Sequence, residues 1–215
     1  MHVELIAITR YLRGDGTPEG LLEHAGRVCY RSESRGNPAA FLRARIREGH
    51  ESIVEHASAT FEISGISRAA SHQLVRHRLA SYSQESQRYV SMDDPEWVVP
   101  PAIAADPEAL AVWERFADQV RVAYRTLRER GVLKEDARFV LPNAAVTRII
   151  ATYNFRQLRH IFRLRISPRA QWEIRAVAVR MLEAVYPHAP AVFGDLREEL
   201  RDRYPEFFDG VQGEG

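Results

Sequence analysis

The chain has 215 residues, 45% hydrophobic and 27% charged, which is the make-up of one globular domain; a chain of this size buries roughly 70% of its unfolded surface without a disulfide or metal staple. The formal net charge of +1 argues against a strongly basic nucleic-acid binder, and Cys29, the one cysteine, excludes an intrachain disulfide. No apolar run nears the roughly 18 residues needed to cross a membrane, and the N-terminus lacks a basic-then-apolar leader, so the cytoplasm is the expected compartment.

In chain order, Val3–Thr9 alternates as a first strand. Leu21, Leu22, Ala25, Val28 and Cys29 fall on one helical stripe, which makes Cys29 a small core residue rather than a nucleophile. Phe41–Arg47 predicts a second helix ending near Gly49, and Ala57, Ala59, Phe61 and Ile63 a half-buried strand. A short helix is expected from Ser67 to about Arg78, leaving "RHRLASYSQESQRY" (Arg76–Tyr89) to begin on that helix and continue as a loop. Asp93–Pro107 reads as a proline-punctuated connection. Trp113, Phe116, Ala117, Val120, Tyr124 and Leu127 line a long helix stopped by Gly131. Val146–Tyr153 reads as a strand, and Asn154 with Gln157 as a helix cap and its partner. Ser167-Pro168 should open the last long helix, with Ile174, Val177, Ala178, Met181, Leu182 and Val185 inward. Strands mixed with long helices predict a single α+β or α/β domain.

Several chemistries lack their residues. There is no phosphate loop, and Gly14, Gly16 and Gly20 miss the dinucleotide spacing. His50 and His56 are six apart and His72 and His77 five apart, so neither pair has the spacing of two metal ligands on one helix face, and no metal is expected.

What is present is a concentration of donors. Arg76, Arg78 and Arg88, set among hydroxyls, suit an anion, because guanidinium makes bidentate, charge-assisted bonds to phosphate and planar acceptors. Only Lys134 of the 30 basic residues is a lysine, so any one arginine is weaker evidence than usual, and a solvated basic face is the plain alternative. A second cluster, "NFRQLRHIFRLRISPRAQW" (Asn154–Trp172), places Arg156 and His160 on one helix face. Arg156 near a positive helix end calls for an acidic companion, which a ligand could supply. Arg165 precedes the break at Ser167-Pro168, where a side chain can point into a cleft.

Arg76-His77-Arg78, with Ser81, Ser86 and Arg88 after it, resembles the RHR-x7-S signature of flavin-dependent thymidylate synthases. "HESIVEH" (His50–His56), "ARFVLP" (Ala137–Pro142) and "NFRQLRHIFRLR" (Asn154–Arg165) resemble further family blocks in the right order, so the likeness runs from roughly Gly49 to Tyr186. It implies one domain over residues 1–215, with a central, mostly antiparallel sheet flanked by long helices, assembling as a homotetramer whose sites are shared between subunits. It also implies reductive methylation of dUMP to dTMP, with 5,10-methylenetetrahydrofolate as carbon donor and FAD, reduced by NADPH, as hydride carrier.

Position by position, the resemblance implies that Ser52, Arg76, His77, Arg78, Gln84, Asn154, Arg156 and His160 bind FAD. It implies that Gln73, Arg76, Gln84, Glu85, Ser86, Gln87, Arg88, Arg138 and Arg165 bind dUMP. His50 and Tyr82 would help order the folate. Arg165 would be catalytic, stabilising negative charge on the uracil N3/O2 edge so that C5 becomes nucleophilic; a thiolate route is not expected from a buried Cys29. Ser86, with no adjacent base, reads as a phosphate ligand rather than a nucleophile. Two rivals stand beside this reading: a nucleic-acid binder with arginine-rich faces, which would show salt-sensitive binding and no chromophore, and a nucleotide-binding flavoprotein of another activity.

Overall fold

Two central strands decide the architecture. In β2 (Ser58–Ser67) the side chains of Ala59, Phe61 and Ile63 all face one way and are buried, as do Ile149, Ala151 and Tyr153 in β4 (Val146–Asn154). They meet across an antiparallel register, Ala59 opposite Tyr153, Phe61 opposite Ala151 and Ile63 opposite Ile149. The other face is polar: Thr60 and Thr152 share a hydroxyl bond of 2.9 Å, and Glu62 pairs with Arg148. A sheet with one apolar face must be covered on that face alone.

The computed structural model, which describes residues 1–33 and 36–209, completes the sheet with β1 (His2–Ile8) and β3 (Ala80–Gln84) in the antiparallel order β1-β2-β4-β3. The helices are α1 (Pro18–Tyr30), α2 (Pro38–Arg47), α3 (Arg68–Leu74), α4 (Pro101–Ala104), α5 (Pro107–Glu129), α6 (Lys134–Ala137), α7 (Phe155–Arg165), α8 (Trp172–Val185) and α9 (Pro190–Arg203). Helices α3, α7 and α8 cover the apolar face, and α9, α2 and α1 pack behind them. Phe193 of α9 sits edge-on to Phe155 and Phe162 of α7, with centroids 5.0 and 5.9 Å apart. Such pairs add about 0.5–1.5 kcal/mol beyond burial. Helix α5 stands outside this core, over a small cluster of Met92, Tyr124, Ala137 and Ala145. The expected α+β domain with an antiparallel sheet is therefore what forms.

Four expectations are corrected. The stretch after Arg78 is an edge strand, β3, not a loop; its inward side chains are the small Ala80, the hydroxyl-bearing Tyr82 and the polar Gln84, so the alternation carries little hydrophobic signal. Helix α8 begins at Trp172 because the Gln171 side chain accepts from Glu173 and Ile174 N–H at 2.9 and 3.2 Å, while Ser167-Pro168 lies in the preceding turn. The last long helix is α9, whose stripe of Val192, Phe193, Leu196 and Leu200 is diluted by seven charged neighbours between Asp195 and Arg203. Finally, Cys29 is exposed, as is Val28. Gly26 faces the Phe41 ring, where a Cβ would stand 2.6 Å from Cε1. That close approach turns α1 so that Leu22, Glu23 and Gly26 face inward.

Candidate functional site

Backbone connections bring the two arginine clusters together. β2 ends at Ser67, whose hydroxyl accepts from Ala70 N–H at 3.0 Å and so caps α3. The buried Glu173 carboxylate of α8 receives Ser67 N–H at 2.6 Å and its hydroxyl at 2.5 Å, which anchors that cap. After α3 the chain turns through Arg76-His77-Arg78 and enters β3, where Ala80 lies opposite Tyr153. This register sets the turn beside Asn154, and Asn154 caps α7 by accepting from Gln157 N–H at 2.8 Å. The Tyr82 hydroxyl lies 2.8 Å from the carbonyl oxygens of both Leu74 and His77 and shares its one proton between them, pinning the turn.

An open cavity of about 530 Å³ forms between the end of α3 and α7, lined by His72, Gln73, Arg76, His77, His160, Leu164 and Arg165. The lining contains no carboxylate, so the cavity favours an anion. Arg165, the last residue of α7, is fixed at its wall: Nε donates to His77 Nε2 at 3.0 Å and a terminal nitrogen donates to the Gln73 carbonyl at 3.2 Å. Burial, then the Arg165 cation, then His160 pull the His77 pKa down from 6.5 to about 4, so the ring is neutral at physiological pH. Burial and the neighbouring Arg76 charge also lower the Arg165 pKa from its ordinary value, but a guanidinium remains charged.

The other expected residues are distributed around this centre. Arg76 lines the cavity; Arg78 is exposed beside it, and neither makes an ion pair among the described residues. Ser52 is exposed on a tight turn over Glu51–His56. Arg156 does have an acidic companion, but the chain supplies it: Glu55 of that turn. The oxygen of the Asn154 side chain is occupied by its capping bond. Gln84 points beneath α3, donating to Ser71 and Thr147 hydroxyls at 2.9 and 3.1 Å. Glu85, Ser86, Gln87 and Arg88 follow the far end of β3, outside the cavity lining. There Arg88 pairs with Glu135 at 2.9 Å, Arg138 donates to the Glu135 carbonyl at 3.0 Å, and Ser86 accepts from Arg88 N–H at 3.3 Å. Tyr82 holds the turn rather than facing the cavity, and His50 is exposed away from the lining.

Sequence reasoning missed His72, Leu164 and Gln157. His72 lies on the last turn of α3, four residues before Arg76, which follows in the turn after the helix; its nearness in sequence could have been read. Gln157 approaches His77 from α7, with Nε2 3.4 Å from Nδ1; it lies 80 residues away in sequence, so no local pattern announces it.

The family model described as thymidylate synthase complementing protein matches residues 10–191. A flavin-dependent thymidylate synthase of Geobacter sulfurreducens is 51% identical over 189 residues, covering 83% of this chain and 82% of the relative. One of Mycobacteroides abscessus is 42% identical, covering 91% and 90%. The fold is similar to that of thymidylate synthase X from Helicobacter pylori, solved with FAD and dUMP: the TM-score is 0.76 at 23% identity, covering 92% of this chain and 100% of that one. It is also similar to a UMP/dUMP methylase, PolB, from Streptomyces cacaoi bound with 5-Br UMP, with a TM-score of 0.74 at 23% identity, covering 92% of this chain and 93% of that one.

Proposed function

The chain belongs to the flavin-dependent thymidylate synthases, and from that premise we propose that it methylates dUMP to dTMP with FAD, taking the carbon from 5,10-methylenetetrahydrofolate and reducing equivalents from NADPH. The observation that carries this reading is the carboxylate-free cavity with Arg165 fixed at its wall.

The residues present suit the flavin. Arg76 and His160 offer exposed donors at the cavity, and Arg78, exposed two residues after Arg76, adds a third, a set fitted to an anionic, planar group. With Ser52, His77, Asn154 and Arg156 they are the side chains assigned to it, although His77, Asn154 and Arg156 each already have partners within the chain, and the buried His77 ring has them at both nitrogens. The Gln84 amide nitrogen is held by Ser71 and Thr147, so the contact assigned to Gln84 is through its backbone. When bound, FAD supplies the hydride that completes the methyl group.

Arg165 is assigned the pyrimidine. A fixed, permanently charged donor at the N3/O2 edge stabilises negative charge on uracil, and that charge makes C5 the nucleophile toward the one-carbon unit. Gln73 and Arg76 stand beside it at the cavity. Glu85, Ser86, Gln87, Arg88 and Arg138 are assigned the nucleotide's remaining contacts, with Arg88 and Arg138 toward the phosphate. Cys29, exposed on α1 and outside the cavity lining, has no part in this route; its location, rather than burial, sets the thiol aside.

A homotetramer with shared sites fits the placement of these groups. Among the described residues, the cavity that Arg165 lines does not include Ser86, Arg88 or Arg138. Moreover, Leu79, Tyr89 and Phe139, each next to an assigned arginine, are 72%, 75% and 83% exposed, which suits burial against a neighbouring copy. No helix among the described residues is long and apolar enough to cross a membrane, and we assign the chain to the cytoplasm. The test is direct: purified protein with FAD, NADPH, methylenetetrahydrofolate and dUMP should form dTMP, and omission of FAD or dUMP should abolish it. A purified, folded protein that forms no dTMP in the complete mixture refutes the proposal.

A further inference from the structure

His77 has hydrogen-bonding groups at both ring nitrogens, and the two together set its protonation: Arg165 selects the accepting nitrogen only while its bond holds, and the group at Nδ1 decides whether that form is kept. Arg165 Nε always carries hydrogen, so at 3.0 Å from His77 Nε2 it can only donate, and Nε2 must present a lone pair. A neutral imidazole then bears its single proton on Nδ1. The group facing Nδ1 is the Gln157 amide, at 3.4 Å, in a side chain only 8% exposed and with no other side-chain bond among the described residues. An amide N–H cannot accept from Nδ1–H; a half turn of the terminal amide brings Oε1 there instead and satisfies both groups.

We infer that Gln157 is a positioning residue: by accepting the Nδ1 proton through Oε1, it fixes His77 as the tautomer whose Nε2 holds Arg165 at the cavity wall. Among the described residues, the groups found against His77 are Gln157, His160 and Arg165 from α7 and the Tyr82 hydroxyl on its carbonyl, with Arg76 of its own turn lining the same cavity. No carboxylate is among them to offset burial and the Arg165 and His160 charges, which hold the ring neutral. A protonated His77 would set N–H against N–H and release Arg165. The link to turnover rests on the proposed function; the tautomer does not.

The test reads the two separately. Nitrogen NMR of the ¹⁵N-histidine-labelled, unliganded full chain near pH 7 should show His77 protonated on Nδ1 alone, and in Gln157→Leu that single form should give way to a tautomer mixture. A wild-type ring protonated on Nε2, or a tautomer unchanged by Gln157→Leu, overturns the inference whether or not dTMP is made. Should the leucine variant not fold, Gln157→Glu serves. Its carboxylate still accepts from Nδ1–H but raises the His77 pKa, so kcat should fall about tenfold per pH unit below that raised value. The wild type should show no such fall, and the KM for dUMP should change less than kcat. A Gln157→Glu profile that superimposes on the wild type overturns the inference.

Discussion

Arg165 carries the chemical step in this account, and its surroundings say what its loss does. Arg165→Ala removes a charged donor aimed at the pyrimidine and leaves Arg76, Arg78 and His160 for the flavin. Turnover to dTMP should drop by about 100-fold or more, while the purified protein stays yellow; steady-state kinetics and the visible spectrum measure both. Loss of the flavin together with activity would instead make Arg165 a cofactor ligand. Cys29→Ser should leave kcat unchanged, since the thiol lies outside the cavity lining; a variant that cannot form dTMP would restore a cysteine route. The arginines were legible in sequence because they cluster within a few residues. Their acids were not: Glu55 meets Arg156 across 101 residues and Glu135 meets Arg88 across 47. A reading confined to neighbours therefore assigned to a ligand a charge that the chain itself balances at Arg156.

At the scale of elements, α7 holds both the cap beside the cavity and the contacts that fix it to the core. Arg159, fully buried, reaches from α7 to α9, where it makes two bonds of 2.7 Å to the Asp195 carboxylate and a further bond to the Val192 carbonyl. Burial alone would raise the Asp195 pKa, but the Arg159 hydrogen bonds and charge hold it below its usual 3.8. A carboxyl whose folded pKa is depressed stabilises the fold above the unfolded value and loses that contribution as pH falls through the folded one. Because the Asp195 side chain is 52% exposed and screened by solvent, Asp195→Asn should lower stability at neutral pH by only about 1 kcal/mol, and the gap to wild type should close as pH falls below about 4. Denaturant melts at several pH values measure it; a gap that stays constant into acid would refute the ionic role. Strands β1, β2 and β4 were readable from alternation, whereas β3 was not, because polar Tyr82 and Gln84 face inward for hydrogen bonds rather than burial. Helix α1 was readable as a helix but not in its rotation, which depends on the Phe41 ring approaching Gly26.

For the whole molecule, the proposed function has the assigned residues form one working centre by combining copies of the chain. Sedimentation or light scattering should give about four times the 24.6 kDa chain mass. Phe139→Asp, at a side chain 83% exposed, should lower that mass and abolish dTMP formation together. A stable, fully active single chain would refute the shared site. The sheet-and-helix domain was legible from periodicity, but the apolar residues flanking the arginines acquire meaning only once their exposure is known. The most direct measurement is anaerobic reduction of the FAD-loaded protein by NADPH, followed at the flavin band with and without dUMP. Faster bleaching with dUMP is the predicted result, because both ligands then occupy one centre; a protein that retains no flavin, or one whose reduction ignores dUMP, would contradict the account.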